Sequence, residues 1–437
     1  MKFDYKKVLI LGYGKSGHAV EEVLYANSID YLIYDQKIDI DTEKFVSKLS
    51  KKVLKGIDIA VLSPGISIYS KVVKRLCKYG IKVISEIEFA YYFCDSQVIA
   101  VTGTNGKTTT ATLIHHILTS AGINSSLLGN VGTPFSNIYR LDSQVAVVEV
   151  SSFQLEAIEQ FKPNIAILLN IAHDHIERHG SMENYINTKF EIFRNQTAMD
   201  HAIVSRSVSG YSNMDSIRSN IYTINANGIN IEDDTVYIYD DGEKYKVCDK
   251  SIVDAIDTCI DNVLSSVLAC FLYGISIRDI VSALNSFVLP RHRCEVVCEM
   301  NGVTYINDSK STNVHSMEYA IKSLKTADIC LMLGGFDKKL DFSVFISHMP
   351  YNIKQLVLFG PAGKRISKVC RKYGYDKYVV FENLMSAINY VKANIKANTT
   401  VLFSPANSSF DEFDSYVERG EFFVNNIRGS GEKVQTK

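Results

Sequence analysis

The amino-acid sequence predicts an α/β protein made of three α/β domains in series, and three observations lead to this prediction. Short apolar runs rich in β-branched residues alternate with amphipathic stretches, which is typical of parallel strands joined by helical crossovers. The alternation restarts at Gln97 and again after Pro290, a residue that disfavours helix continuation. The length of 437 residues suits two to four domains. We place the domains at residues 1–94, 95–289 and 290–437.

The composition is that of an ordinary soluble globular protein, with 46% hydrophobic and 22% charged residues. The net charge of -1 argues against a broad nucleic-acid-binding surface, which needs a basic excess. No apolar run reaches the ~20 residues that span a bilayer, and the N-terminal segment lacks a signal-peptide pattern. The nine cysteines are scattered without a C-x-x-C pair, so we expect reduced thiols. We therefore expect a cytoplasmic protein with no nucleic-acid partner and no membrane insertion.

The first domain opens with a glycine-rich turn between a strand and a helix. Gly12, Gly14 and Gly17 form a G-x-G-x-x-G pattern, which permits a tight turn and close approach of a diphosphate to the helix N-terminus. Asp35 ends the next strand, where a ribose-binding acid would lie in a dinucleotide enzyme. The run Ser63–Gly65 ends another strand and would extend the same pocket. These residues predict a Rossmann-like domain. Three interpretations of the glycine turn stay open: it binds NAD, it binds another diphosphate ligand, or it serves only helix–strand packing.

The second domain carries the strongest motif of the sequence. The strand Gln97–Thr102 leads into Gly103–Thr109, which reads GTNGKTT, and a helix begins near Lys107. The glycines let backbone N–H groups face phosphates, Lys107 supplies a point charge, and Thr108 can ligate magnesium. Val101 stands where the usual phosphate loop has its first glycine, and no N-K-x-D guanine motif is present. We predict a P-loop-type mononucleotide-binding α/β domain.

Other polar side chains of this domain are weaker candidates. Glu149 ends a strand, where it could bind magnesium beside a triphosphate or simply face solvent. His173, His175 and His179 follow the next strand; a zinc cluster is disfavoured because no cysteine or further ligand accompanies them, and a plain polar loop stays open. Lys189 lies on a predicted helix, where a lone lysine usually faces solvent.

The remaining elements follow from the same alternation of patterns. The stretch Asp200–Asp249 differs, because DTVYIYDDGEKYKVCD alternates like a hairpin, and we expect an antiparallel edge or subsheet there. The C-terminal segment GSGEKVQTK is expected to be disordered. The other predicted strands are Lys7–Leu11, Tyr31–Tyr34, Ile59–Ser63, Lys82–Ser85, Val145–Val150, Ile165–Ile171, Ala327–Leu333, Gln355–Phe359, Tyr378–Phe381 and Thr400–Phe403. The other predicted helices include Ser16–Ala26, Asn262–Tyr273 and Ile277–Phe287.

The run T-G-T-N-G-K-T-T, which closes at Thr109, resembles the nucleotide loop of the Mur ligase and folylpolyglutamate synthase superfamily. The run E-V-S-S-F-Q-L-E from Glu149, the D-H-x-x-R pattern at Asp174–Arg178, and the later runs L-P-x-R-x-E and N-D-S-K-x-T-N resemble the D-glutamate-adding branch of the Mur ligases. The resemblance covers Val8–Phe423. It implies an enzyme with a Rossmann-like C-terminal domain that activates UDP-N-acetylmuramoyl-L-alanine with ATP and Mg²⁺ and then joins D-glutamate to it. We expect a monomer.

The resemblance also implies roles for single residues. Uridine diphosphate, and not NAD, would occupy the first glycine loop, and Lys189 would be carbamylated, which needs a neutral amine and hence a depressed pKa. The implied catalytic residues are Lys107, His175, Lys189 and Arg293. The implied ATP contacts are Gly103, Thr104, Asn105, Gly106, Lys107, Thr108, Thr109, Asn262, Arg293 and Asp308, and the implied magnesium ligands are Thr108, Glu149, His175 and Lys189. The implied contacts of the uridine substrate are Gly14, Lys15, Ser16, Ser63, Pro64, Gly65, Asn130 and His175, and those of D-glutamate are Lys310, Thr312, Lys338, Ser409, Phe410 and Tyr416.

The sequence departs from the family pattern in two places. Relatives carry H-N-x-x-N near the adenine, whereas this chain has Thr258-Cys259-Ile260-Asp261-Asn262, so only the last asparagine is kept. Relatives usually carry phenylalanine where Tyr416 stands. Three alternatives remain: a nicotinamide-dependent oxidoreductase, which leaves the second glycine loop unexplained; a non-catalytic nucleotide-binding regulator; and a sister ligase that adds another amino acid.

Overall fold

The computed structural model describes residues 3–36, 38, 41–130, 132–256, 259–324 and 328–428. The segment GSGEKVQTK, for which we predict disorder, lies outside the described residues, and so do Thr258 and Ala327. Within the described part of the chain, the strands form three sheets, and the chain divides into two compact units, Met1–Val288 and Leu289–Lys437. The first unit holds two of the sheets and the second unit holds the third. The division of the first unit at residue 94 stays a prediction.

The first sheet is formed by the strands nearest the N-terminus. The strands are β1 (Lys7–Leu11), β2 (Asp30–Tyr34), β3 (Ile59–Leu62) and β4 (Lys82–Ser85), and the helices are α1 (Lys15–Ala26), α2 (Lys51–Leu54), α3 (Lys71–Lys78) and α4 (Glu86–Tyr91). All strand pairs are parallel, in the order β2-β1-β3-β4. Alternate residues of β1 enter two cores, Val8 and Ile10 on one face, Leu9 and Leu11 on the other. The predicted strands are confirmed, and the glycine turn lies at the switch point of the strand order, where open α/β sheets bind ligands.

The second sheet contains the strands of the middle region. The strands are β5 (Gln97–Thr102), β6 (Ser125–Gly129), β7 (Val145–Glu149), β8 (Ile165–Leu168), β9 (His201–Ser205), β10 (Asn220–Ile224), β11 (Ile229–Glu232), β12 (Thr235–Asp240) and β13 (Glu243–Asp249). The α-helices are α5 (Lys107–Ser120), α6 (Ser152–Leu155), α7 (Ile176–His179), α8 (Met182–Phe190), α9 (Lys250–Asp254), α10 (Ile260–Tyr273) and α11 (Ile277–Ser286), and the 3₁₀ helices are Phe135–Arg140, Glu191–Phe193 and Ser212–Ser216. The strand order is β13-β12-β11-β10-β9-β8-β5-β7-β6. The prediction of β5, β7 and β8 is confirmed, and two cores cover the two faces of the sheet.

The strands from β9 onward correct one prediction. The hairpin of β12 and β13 is antiparallel, as its alternation predicts, and β11 also pairs with β12 in antiparallel fashion. The antiparallel prediction is wrong for the first part of the stretch, because β9 pairs in parallel with both β8 and β10. The physical reason is burial: Ala202, Ile203 and Val204 are fully buried, as in an inner strand covered on both faces.

The third sheet lies in the second compact unit. The strands are β14 (Glu295–Met300), β15 (Val303–Asn307), β16 (Asp328–Gly334), β17 (Ile353–Phe359), β18 (Tyr378–Phe381) and β19 (Thr399–Ala406), and the helices are α12 (Val314–Ser323), α13 (Ser343–Ser347), α14 (Gly360–Lys372), α15 (Leu384–Asn394) and α16 (Tyr416–Arg428). The order is β14-β15-β19-β16-β17-β18, with only the β14–β15 pair antiparallel among these strands. The four predicted strands are confirmed within the described residues. The antiparallel pair β14–β15 is an addition that the sequence pattern did not predict.

None of the described helices is suited to crossing a membrane. The longest of them, α5 and α10, have 14 residues each, whereas a bilayer span needs ~20 apolar residues.

Candidate active site

The phosphate loop joins β5 to α5, and its conformation depends on a glycine and on hydrogen bonds to a neighbouring asparagine. Gly106 precedes the helix with φ of 86°, and a Cβ placed there would lie 2.1 Å from Oδ1 of Asn262. The N–H of Asn105 donates to Oδ1 of Asn170 at 2.9 Å, and Nδ2 of Asn170 donates back to the carbonyl of Asn105 at 3.1 Å. These bonds hold the loop at the N-terminus of α5, where the helix dipole favours anions.

Lys107 is the first residue of α5, and its ammonium lies back over the loop. Nζ donates to the carbonyl oxygens of Gly103 at 2.8 Å and Thr104 at 2.9 Å. The side chain is therefore held at the loop instead of extending into solvent. A cation fixed there, beside the helix N-terminus, suits the binding of β- and γ-phosphates.

A buried carboxylate faces the start of the same helix. Glu149, at the end of β7, is 1% exposed; its Oε2 accepts from Oγ1 of Thr108 at 2.8 Å and its Oε1 accepts from Nδ2 of Asn130 at 2.9 Å. The described residues contain no cluster of three or more His, Cys, Asp or Glu side chains that could hold a metal. A hydroxyl and one carboxylate nevertheless fit Mg²⁺, which usually takes one or two protein carboxylates and completes its shell with phosphates and water.

Lys189, on α8, is buried and is not a solvated helical lysine. It is 1% exposed, and its Nζ lies 4.8 Å from the centre of the Tyr185 ring. Burial lowers the pKa of Lys189 well below its usual 10.5, repulsion from Lys107 lowers it further, and Asp174 opposes the shift. The hydroxyl of Tyr185 lies 3.0 Å from Oγ1 of Thr104, which ties α8 to the phosphate loop. The burial thus favours the neutral amine that a carbamylation reaction requires.

The three histidines after β8 have separate environments. His175 caps α7 with φ of 55°; its backbone N–H donates to Oδ1 of Asp174 at 3.0 Å, and its ring packs edge-on against Phe153. His179 is buried, and Nε2 lies 3.0 Å from Oγ of Ser152. Burial, together with nearby positive charge, lowers the pKa of His179 to about 4. His173 is exposed.

A cavity of about 700 Å³ lies at the carboxyl ends of the first-sheet strands. Its size is within the range of ordinary ligand pockets. Asp35, at its edge, accepts from the N–H of Tyr13 at 2.8 Å, and Oγ of Ser63 donates to the carbonyl of Gly12 at 2.8 Å. Asn130 and His175 do not line this cavity; Asn130 contacts Glu149 instead. The predicted substrate residues that do line it are Gly14, Lys15, Ser16, Ser63, Pro64 and Gly65.

In the second unit, Asp308 is a buried carboxylate at the end of β15. It is 4% exposed and accepts from Oγ of Ser404 at 2.7 Å and from the N–H of Cys294 at 3.3 Å. Burial raises the pKa of Asp308 to about 6, although its hydrogen bonds and the nearby guanidinium of Arg293 oppose the rise. Two of the predicted ATP contacts, Arg293 and Asp308, are therefore neighbours in the fold.

The predicted D-glutamate residues form small local groups in the same unit. Nζ of Lys338 donates to the carbonyl of Thr312 at 3.4 Å, and Nζ of Lys310 lies 3.9 Å from the centre of the Tyr416 ring. Ser409 is 2% exposed, whereas the neighbouring Phe410 is 68% exposed. The pairs Lys338–Thr312 and Lys310–Tyr416 are brought together.

Arg419 is a buried arginine that the sequence analysis did not identify. It is fully buried in α16; Nε donates to Oγ of Ser309 at 3.1 Å, and its other nitrogens donate to the carbonyls of Ser309 and Ser408 at 2.9 and 3.0 Å. Burial lowers the pKa of Arg419 to about 10. The sequence does carry a signal for this position, because a spacing of four residues places Arg419 on the same helix face as the buried Phe423 and Ile427.

Comparisons with known proteins agree with this architecture. Residues 101–260 match the Mur ligase middle domain and residues 292–407 match the Mur ligase glutamate ligase domain. The UDP-N-acetylmuramoylalanine--D-glutamate ligases of Thermoanaerobacter sp. (strain X514) and Natranaerobius thermophilus are each 35% identical to this chain, covering 97% and 98% of it and 98% and 99% of their own lengths. A pseudomurein peptide ligase type C from Methanothermus fervidus has the same fold, with a TM-score of 0.60, 17% identity, and 97% of this chain and 100% of that chain covered. The chain therefore belongs to the Mur ligase family.

Proposed function

We propose that this protein joins D-glutamate to UDP-N-acetylmuramoyl-L-alanine, in the synthesis of peptidoglycan precursors. As a member of the Mur ligase family, it is an ATP-dependent enzyme that forms amide bonds. The observation that carries the ligase chemistry is the buried pair of Thr108 and Glu149 at the N-terminus of α5, together with the buried Lys189, whose pKa is lowered by burial. The choice of D-glutamate is supported by the names of relatives that match nearly the whole chain.

The proposal assigns one substrate to each of three domains. Residues 1–94 would bind the uridine diphosphate end of the acyl substrate, residues 95–289 would bind ATP, and residues 290–437 would bind D-glutamate. The three separate sheets support this division, and the 700 Å³ cavity beside the first glycine loop supports the first assignment. A cytoplasmic location and a monomeric state remain predictions.

The nucleotide residues have distinct tasks in this proposal. Backbone N–H groups of Gly103–Thr109 and the ammonium of Lys107 would hold the β- and γ-phosphates, and Asn262 would contact the adenine side. Mg²⁺, held by Thr108, Glu149, His175 and carbamylated Lys189, would neutralise charge on the phosphate oxygens. Arg293 and Asp308 would add further contacts to ATP.

The reaction proceeds in two steps. A carboxylate oxygen of the L-alanyl group attacks the γ-phosphorus, the bond to the β–γ bridging oxygen breaks, and ADP leaves with that electron pair. Lys107 and Arg293 stabilise the charge of the transferred phosphoryl group. The amine of D-glutamate then attacks the acyl carbon, phosphate leaves, and the nitrogen loses a proton to give the amide. The side chains that would position D-glutamate are Lys310, Thr312, Lys338, Ser409, Phe410 and Tyr416.

Phosphate release tests this function directly. Purified protein is given MgATP and UDP-N-acetylmuramoyl-L-alanine, with D-glutamate, with L-glutamate or with no amino acid. We expect release only when the uridine substrate and D-glutamate are both present, together with a product heavier by one glutamyl residue. Release with another amino acid instead would assign a sister ligase. No release from folded protein under any of these conditions would contradict the proposal and favour a nucleotide-binding regulator or an oxidoreductase.

A further inference from the structure

We propose that Arg178 is a positioning residue, which fixes the wall of the uridine-substrate cavity against the segments that carry Glu149 and His175. The proposal rests on the function proposed above, because that function places the uridine substrate at this wall. Arg178 lies on α7, three residues after His175, and its side chain reaches the loop that follows β3. The contact joins helix α7, which follows β8 of the second sheet, to the loop that follows β3 of the first sheet.

The guanidinium of Arg178 binds the cavity wall through backbone oxygens. Nη1 donates to the carbonyl of Pro64 at 2.7 Å, and Nη2 donates to the carbonyl of Ile66 at 3.1 Å. Pro64 and Ile66 both line the 700 Å³ cavity. Both acceptors are backbone carbonyl oxygens. The position of the loop therefore depends on the guanidinium of Arg178 and not on the side chains of the loop.

A second edge of the guanidinium, formed by Nε and Nη2, is held by a carboxylate. Nε of Arg178 donates to both oxygens of Glu156, at 3.1 and 3.2 Å, and Nη2 donates to Oε2 at 2.6 Å. The two side chains are 10% and 2% exposed. Only arginine carries a planar fork of five donors that can serve a carboxylate and two carbonyls at once; a lysine ammonium cannot span them.

The charge of Glu156 is balanced by Arg178 and not by the neighbouring His179. The ring of His179 lies 3.6 Å from Oε1 of Glu156, but the lowered pKa of His179, about 4, keeps that ring neutral at neutral pH. A buried carboxylate needs a partner, so Glu156 holds the guanidinium in place. The cavity wall is then anchored through Arg178 to the segment that follows Glu149.

The same guanidinium also contacts the loop of His175. Its central carbon lies 3.9 Å from the centre of the Phe153 ring, and that ring packs edge-on against His175 at 4.8 Å. Phe153 and Glu156 both follow Glu149 within one short segment. Arg178 therefore contacts the diphosphate side and the phosphate-transfer side of the site, and it sets the spacing between them.

The Arg178→Lys variant tests this role through steady-state kinetics. We expect the KM for UDP-N-acetylmuramoyl-L-alanine to rise about tenfold or more, because the wall loses charged hydrogen bonds, while the KM for ATP stays within about twofold. The matched control is Arg194→Lys. Arg194 also pairs with a glutamate, Glu191, but its side chain is 54% exposed, and we expect no change in either KM.

A double variant separates positioning from folding. Replacing both partners, as Arg178→Met with Glu156→Leu, removes the buried charges together, and such replacements are often neutral for stability. We expect a melting temperature close to that of the wild type with the same rise in KM. Unchanged KM for the uridine substrate in folded variants would overturn the proposal, and so would a failure of both variants to fold, because the pair would then serve only stability.

Binding of UDP alone, measured by calorimetry, keeps this test separate from the proposed function. Wild-type protein that binds UDP but shows no ligation would contradict the function and leave the positioning role intact, provided that Arg178→Lys weakens UDP binding about tenfold. Equal UDP affinity in the wild type and in Arg178→Lys would overturn the positioning role even if ligation is observed.

Discussion

The two glycine loops of the first unit begin in nearly the same way and differ in what surrounds them. Gly14 directly precedes α1, which begins with Lys15 and Ser16, and Gly106 directly precedes α5, which begins with Lys107 and Thr108. Each glycine loop follows the carboxyl end of a parallel strand. Lys15 is exposed and Ser16 is half-buried beside an open cavity. Lys107 instead bonds to its own loop, and Thr108 bonds to the buried Glu149.

A glycine, a lysine and a hydroxyl at a helix N-terminus are features of phosphate-binding sites. In the function proposed above, both loops would bind phosphates, and only the second would take part in phosphate transfer. The difference lies in a neighbouring strand, where β7 ends in Glu149, and in α8, which buries Lys189. In the proposed function these groups would support transfer, because charge on the γ-phosphate must be neutralised as the bond breaks. Among the described residues that line the cavity of the first loop, Asp35 is the only carboxylate, and it accepts from the backbone N–H of Tyr13.

Replacing each of the two lysines with methionine should produce the largest difference in kinetics between the two loops. We expect Lys107→Met to lower kcat by about 100- to 1,000-fold, because a fixed donor to the transferred group is lost. Lys15→Met should raise the KM for the uridine substrate about tenfold, because one charged contact to a phosphate is lost, with kcat within about threefold. Steady-state phosphate release measures both. A similar loss of kcat in the two variants would contradict the assignment of different roles to the two loops.

Removing the charge of the buried carboxylate should have the next largest effect. Glu149→Gln keeps the shape of the side chain, and we expect kcat to fall about 10- to 100-fold and the Mg²⁺ concentration for half-maximal activity to rise, because a metal contact is weakened. A magnesium titration of phosphate release measures the shift, and chelation of Mg²⁺ should abolish release from the wild type. Glu183→Gln, at an exposed position on α8, serves as the control. An unchanged Mg²⁺ dependence of phosphate release in Glu149→Gln would contradict a role of Glu149 in metal binding.

The glycines before the two lysines should respond differently to alanine. Gly106 has φ of 86° and no room for a Cβ beside Asn262, whereas Gly14 has φ of -85° and no atom within 4 Å of an added Cβ. We expect Gly106→Ala to lower the free energy of unfolding by about 1–3 kcal/mol and Gly14→Ala to change it by less than about 0.5 kcal/mol. Urea unfolding curves measure both. Equal losses would show that the first loop is under the same steric constraint.

The smallest effect should come from the titration of Lys189. Burial lowers the pKa of Lys189 below the 10.5 of the unfolded chain, so between these two values the unfolded state binds more protons. The contribution of Lys189 to stability therefore rises with pH through this window. In protein whose Lys189 carries the free amine and no carbamyl group, we expect the melting temperature of the wild type to rise relative to that of Lys189→Met as the pH is raised. Parallel curves for the two proteins would show that the ammonium is not disfavoured in the folded state.

The sequence predicted those parts of the molecule whose geometry follows from neighbouring residues. Gly103–Thr109 follow a buried strand and open a helix, so their position was readable from the pattern alone. The burial of Lys189 could not be predicted in this way, because a lysine on a predicted helix usually faces solvent. Its charged surroundings include Lys107, more than 80 positions away, and the Tyr185 ring beside it is tied to Thr104 of the phosphate loop. The parallel pairing of β9 was missed for a different reason. The antiparallel prediction extended the hairpin-like alternation of β12 and β13 to the whole stretch, although the buried run Ala202–Val204 is typical of an inner parallel strand.

The roles in the second unit depended more on resemblance than on pattern. Arg293, Lys338 and Phe410 stand on loops or at strand ends, where the local sequence does not determine which side chains meet. Arg419 shows the opposite case, since its helical spacing with Phe423 was readable but its charge argued against burial. Physical pattern therefore predicts scaffolds and glycine loops better than it predicts the side-chain contacts between distant segments.

The hairpin that ends the nine-stranded sheet affects how the protein behaves at high concentration. An edge strand exposes unpaired N–H and C=O groups that can template pairing with another chain, and charged side chains discourage such aggregation. β13 presents the exposed residues Glu243, Lys244 and Lys246 along this edge. A second molecule that added a strand there would strip water from these charged side chains. This edge strand should thus help to keep a largely parallel sheet from growing from one molecule into the next.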